Sequence, residues 1–148
     1  MKISVKGRYA LAAAIIIADR TARDENVSVS SVADRLGISK IYLEQVFAQM
    51  KKAKLLTSVK GPKGGYKLAR AADGITAWDV LAPIEQGLTE KTEETVTNGA
   101  PDIERVIRVK VYEALDEVIR EQLAGVTVSE LLDSVRAQEE QSAFMLNM

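Results

Sequence analysis

Residues 28–66, SVSSVADRLGISKIYLEQVFAQMKKAKLLTSVKGPKGGY, leave few folds open to this chain. Ser28 is a good N-cap for a helix over Val29–Leu36, whose apolar side is Val29, Val32, Ala33 and Leu36. Gly37 falls where a left-handed turn residue is expected, and Ile38 plugs the turn into the core. Ser39 then caps a second helix to about residue 53, in which Leu43, Val46, Phe47 and Met50 keep the i, i+3, i+4, i+7 spacing of a buried face. Residues 55–59 and 66–69 read as two strands, joined by Lys60-Gly61-Pro62-Lys63-Gly64-Gly65. The pattern is mainly α with a small β-wing: a winged helix-turn-helix.

The second helix carries Lys40, Tyr42, Glu44 and Gln45 on its opening turns, as suits a helix whose N-terminal end is offered to the DNA major groove. Ile41 does not fit the core face; it either touches a thymine methyl or covers the edge of the motif. Tyr42 has two readings, a hydrogen bond to a phosphate and a ring packed between helices. In the hairpin, three glycines and a proline allow the backbone to approach a phosphate closely, and Lys60 and Lys63 make it positive. It is not an NTPase phosphate loop, because the GxxxxGK[ST] spacing is absent and it joins strand to strand. A DNA-contacting wing of Lys60, Gly61, Pro62, Lys63 and Gly64 is the better account.

Charge supports this. Residues 1–70 hold 14 Lys/Arg against five Asp/Glu, whereas residues 71–148 hold six against 16, so the overall charge of −1 conceals a basic half and an acidic half. That division fits a polyanion-binding module joined to a part that must not bind the polyanion. The chain has no Cys and no His, which excludes a Cys nucleophile, a His general base and a thiolate-held iron–sulfur cluster. No catalytic set can be assembled, so an enzyme is not expected, nor is any cofactor or metal. The most apolar run, ALAAAIIIA at 10–18, is too short to span a membrane and is followed by charged residues rather than a cleavage site. A cytoplasmic protein is expected.

The remainder reads in order. A helix capped by Ser4 runs from 5 to about 21, and Val27-Ser28 supplies a short β-bridge. Thr76-Ala77-Trp78-Asp79 is a capping-box variant opening a helix to about 85, with Trp78 anchoring it to the N-terminal domain. Residues 86–100 read as a mobile loop. Pro101 opens and Gly125 follows a long helix whose apolar stripe includes Ile103, Val106, Ile107, Val111, Leu115, Val118 and Ile119. Pairing with its copy in a second subunit would cover that stripe. Thr127-Val128-Ser129-Glu130 is a capping box for a final helix, and the apolar tail from 142 to 148 is expected to dock on the body or on a partner. The division is thus a winged helix-turn-helix domain over 1–85, a loop over 86–100, and a dimerisation helix with C-terminal helix over 101–148.

The segments MKISVKGRYAL, GISKIYLEQVF, SVKGPKGGYKLAR, ITAWDV and TVSELL together resemble the Rrf-two family of bacterial winged-helix transcription regulators. The resemblance implies a homodimer on double-stranded DNA, with Ser39, Ile41, Glu44 and Gln45 reading the operator and Lys60 as the wing contact. Ile41 replaces a residue often polar in the family, and Lys60 stands where Arg is common; Lys lacks the planar fork that suits a narrow minor groove. Cluster-binding members place three cysteines before the long helix, and this chain has none there. The resemblance therefore leans to the cluster-free, CymR-like branch, in which a metabolic enzyme partner carries the regulation. Two other readings stand beside a DNA-binding repressor: an interaction module docking such an enzyme, and a small-molecule-responsive regulator with a pocket between Trp78 and the long helix.

Overall fold

The computed structural model describes residues 2–148, and the first half follows the sequence closely. Helix α1 (Val5–Ala22) starts at Ser4, whose hydroxyl accepts from the Gly7 amide at 3.1 Å. Its alanine- and isoleucine-rich run is buried, with Ala10, Ala13, Ala14, Ile17 and Ala18 in the core. Small residues at these positions let neighbouring elements approach α1 from several sides. Helix α2 (Val29–Leu36) is capped by Ser28, and Gly37 closes it in the left-handed region at φ 69°. Helix α3 (Lys40–Lys52) is capped by Ser39 and buries Leu43, Val46, Phe47 and Met50.

Strands β1 (Leu56–Val59) and β2 (Gly65–Leu68) pair antiparallel from Leu56 opposite Leu68 to Val59 opposite Gly65. Val27 bridges Tyr66 as a third short contact, through amide–carbonyl bonds of 2.9 and 2.7 Å. Phe47 packs edge-on against Tyr66 with ring centres 5.1 Å apart, which seats the hairpin on α3.

Several expectations need correction. The capping box at Thr76 and Asp79 is present, but α4 (Ala77–Leu81) stops well short of residue 85. Pro83 explains this, since it has no amide hydrogen to continue the i to i−4 ladder. The segment read as a loop begins with a helical turn, α5 (Gln86–Thr89). The long helix is not uniform: α6 (Pro101–Ile107) passes into a π-helical stretch (Arg108–Glu113) and then into α7 (Ala114–Ala124). Finally, α8 (Val128–Leu146) stays helical almost to its end, and the tail does not dock on the body. Phe144, Met145, Leu146 and Met148 are all exposed, Leu146 to 87%.

The start of α8 returns to the N-terminal half. Thr127 caps it and bridges Thr76, and Val128 and Leu132 join the same core as α1 and α3. Trp78 does not anchor α4 to the N-terminal body; its ring lies under the Arg120 guanidinium of α7 at 4.9 Å. The segment before α6 is tied down by Glu104, the one buried charged residue among those described. Its carboxylate accepts from the Val96 amide at 3.3 Å and from Arg108 at 3.1 Å, while Arg108 also donates to the Thr92 carbonyl at 2.9 Å.

Candidate nucleic-acid interface

One side of α3 is fixed in the core and the other is presented to solvent. Lys40, Ile41, Glu44 and Gln45 are exposed, next to the buried Leu43, Val46 and Phe47. Burial of the second group sets the rotation of the first, so the exposed side chains sit on a rigid element. Ile41 is 72% exposed. Of the two readings offered for it, covering the motif's edge is not what the structure shows. Tyr42 is half-buried and its ring meets Tyr9 of α1 edge-on at 5.6 Å, as in the packed reading. Lys6 lies 6.0 Å from the centre of the Tyr42 ring. Lys40 and Glu44 form a long i, i+4 pair at 4.0 Å, weak enough in solvent to open.

Ser39, Ile41, Tyr42 and Gln45 share one open, mostly apolar cleft of about 660 Å³ with Val5 and Tyr9 of α1. Val5 and Tyr9 had been no more than helix residues in the sequence, because only the packing angle of α1 on α3 brings them to this surface.

The wing is a separate projection. Lys60, Gly61, Pro62 and Lys63 are exposed at its tip, and the Gly64 amide donates to the Gly61 carbonyl at 2.9 Å to close the turn. Gly61 has φ 108° and Gly65 has φ 147°, both unfavourable to other residues. A Cβ on Gly65 would also collide with the Val27 carbonyl. Asn26, which the sequence did not mark, donates to the Lys63 carbonyl at 3.0 Å and braces the wing against the segment before α2. Lys51 of α3 donates to Ser58 of β1 at 2.8 Å, fixing the wing relative to the helix. Lys63 faces a second depression with Asn26, Ser28 and Ser31, so α3 and the wing tip offer two distinct contact points rather than one pocket.

A helix with a rigidly turned polar face beside a basic glycine-rich hairpin defines the winged helix-turn-helix class. The sequence model of the Rrf2 family, described as an iron-dependent transcriptional regulator, matches residues 3–134. The chain belongs to the Rrf2 family of transcription regulators. It is 33% identical over 134 residues to the HTH-type transcriptional regulator IscR of Erwinia tasmaniensis, covering 90% of this chain and 80% of that protein. Among solved structures it is similar to CymR, the global cysteine regulator of B. subtilis, with a TM-score of 0.71 and 30% identity, covering 90% of this chain and 98% of that one. It is equally similar to IscR of T. potens, with a TM-score of 0.71 and 32% identity, over 91% of this chain and 88% of that one.

The iron in the family's description does not fit this donor set. The chain has no thiolate or imidazole to offer, and among the described residues no three carboxylates converge on a point. Glu104, the buried carboxylate beside the segment in question, is already committed to Arg108 and the Val96 amide.

The stripe read as a dimer seam is exposed at Ile103, Val106, Val111, Leu115 and Val118, each between 52% and 61%. Ile107 and Ile119 are half-buried against the subunit's own body, and Val109, absent from the stripe as read, is 55% exposed.

Proposed function

We propose that this protein is a homodimeric, sequence-specific DNA-binding repressor that acts in the cytoplasm on a pseudo-palindromic operator, without an iron–sulfur cluster. The observation that carries the reading is the orientation of α3. Its buried residues leave Lys40, Ile41, Glu44 and Gln45 as a solvent-facing set on the first two turns, beside a braced basic wing. Glu44 can accept from a cytosine amino group, Gln45 can pair with an adenine edge, and Ile41 can lie against a thymine methyl. Lys60 and Lys63 neutralise phosphates and supply sequence-independent affinity. The exposed apolar residues of the long helix support a second copy, which would place two α3 helices one DNA turn apart, about 34–36 Å.

Without cysteine or histidine, control must act on something other than a cluster. The Glu104–Arg108 pair already holds the segment from Thr92 to Val96 on the helix by hydrogen bonds.

In vitro selection from random duplex DNA, with the salt dependence measured on the winning site, tests the proposal. An enriched two-fold symmetric motif with a steep negative salt slope is expected. Absence of any enriched motif would overturn it.

A further inference from the structure

Behind the DNA-reading half, a cavity of about 430 Å³ lies between α4, α5 and the π-helical stretch. Its volume is that of a small-metabolite site. Trp78, Leu88, Tyr112 and Arg108 are the half-buried groups in its wall. Arg108 stands 5.8 Å from the Tyr112 ring centre, and its Nε is buried with no hydrogen-bond partner. One terminal nitrogen of the same guanidinium is taken by Glu104 and the Thr92 carbonyl. The wall also contains the π-helical turn itself, a geometry found often at functional sites.

The exposed rim is charged with both signs. Arg120 lies over Trp78, and Glu113, Asp116 and Glu117 precede it along the same helical rod. Glu90 and Lys91 add one charge of each sign from the end of α5. Among the described residues none of these six has an ion-pair partner within 4.0 Å, although the chain forms eight such pairs elsewhere. A simple anion entering the cavity would meet the carboxylates, and a simple cation would meet the guanidinium groups. A zwitterion satisfies both.

We propose that this cavity binds a free α-amino acid, its carboxylate on Arg120, its ammonium on Glu117, and its side chain beside Trp78 and Tyr112. The cavity joins α4, which belongs to the winged-helix body, to the long helix, so occupancy couples the two. Binding itself does not depend on the DNA reading, and it is measured without DNA.

Trp78 is the only tryptophan, so its fluorescence reports the cavity directly. The full-length protein is titrated with each of the twenty standard amino acids, with melting temperature as a second readout. The best responder is then compared with its N-acetyl derivative, with the corresponding amine lacking the carboxylate, and with inorganic phosphate. Saturable emission change and stabilisation by at least one amino acid are expected, with its two derivatives and phosphate weaker by about tenfold or more, the loss of one charge-assisted contact. Arg120→Ala and Glu117→Gln, both at exposed positions, should each weaken binding by about tenfold while shifting the unliganded melting temperature by no more than about 3 °C. No saturable response to any amino acid, equal binding of the blocked derivatives, or unchanged affinity in both variants would overturn the proposal.

Discussion

Arg136 of α8 donates to the Asp19 carboxylate of α1 at 2.9 Å, joining positions 117 residues apart in the chain. This hydrogen bond is the main reason the Asp19 carboxyl is held below its ordinary value; burial pushes the other way, and Arg23, at 3.6 Å, adds to the lowering. A depressed carboxylate pKa stabilises the fold above the unfolded value of about 3.8, and the gain is lost as pH falls through the lowered folded value. Arg136→Gln should therefore lower the melting temperature by about 2 °C at neutral pH, a small effect because the pair is partly solvated. The difference from wild type should shrink on acidification below about pH 4. Thermal melts of both proteins across pH 3–7 check this; a difference that grew toward low pH would contradict it.

The reading positions and the wing should separate in their effects. Glu44→Ala with Gln45→Ala is expected to flatten the selected DNA motif while costing little non-specific affinity. Lys60→Ala should weaken all sequences alike and reduce the salt slope by about one. Parallel titrations on selected and scrambled duplexes distinguish the two outcomes.

Gly65→Ala combines a φ of 147° with a collision against the Val27 carbonyl. The hairpin must shift, breaking the Val27–Tyr66 bridge, with a loss of about 1–3 kcal/mol. Chemical denaturation measures the loss, and reduced amide protection at Val27 would locate it.

Local signals made the DNA-facing half readable in advance. Ser28, Gly37 and Ser39 each act within four residues of themselves, and the Leu43–Val46–Phe47–Met50 spacing sets the rotation of α3 without help from elsewhere. The second half depends on contacts distant in sequence. Trp78 looked like an anchor to the body because the sequence does not show that Arg120, 42 residues later, lies over its ring. The early end of α4 is legible in Pro83, whose missing amide hydrogen outweighs the apolar residues beyond it. The role of Glu104 was not legible, since a lone acidic residue on a helix ordinarily faces water.

Glu104→Ala should leave Arg108 without its carboxylate in a largely buried position. A cost of about 3 kcal/mol is expected, concentrated in the segment from Thr92 to Val96. Hydrogen exchange should accelerate at those amides while α1 and α3 keep their protection.

Leu115→Asp puts a charge into the exposed apolar side of α7. Sedimentation should show the wild type as a dimer and the variant as a folded monomer with weakened operator binding. A wild-type monomer at all concentrations would rule out the homodimer.

The π-helical stretch has a geometric consequence for that surface. From Ile103 to Val111 is eight residues, which at the α-helical pitch overshoots two full turns by roughly 80°. Spaced as they are, Ile103, Val111, Leu115 and Val118 would spiral away from one another on a uniform helix. A stretch that winds more slowly between Arg108 and Glu113 takes up the overshoot and brings the four back toward a single line. The proposed seam would thus be aligned by the pitch of the rod as much as by the order of its residues. A substitution that tightened this stretch to regular winding would misalign the seam without altering one apolar side chain.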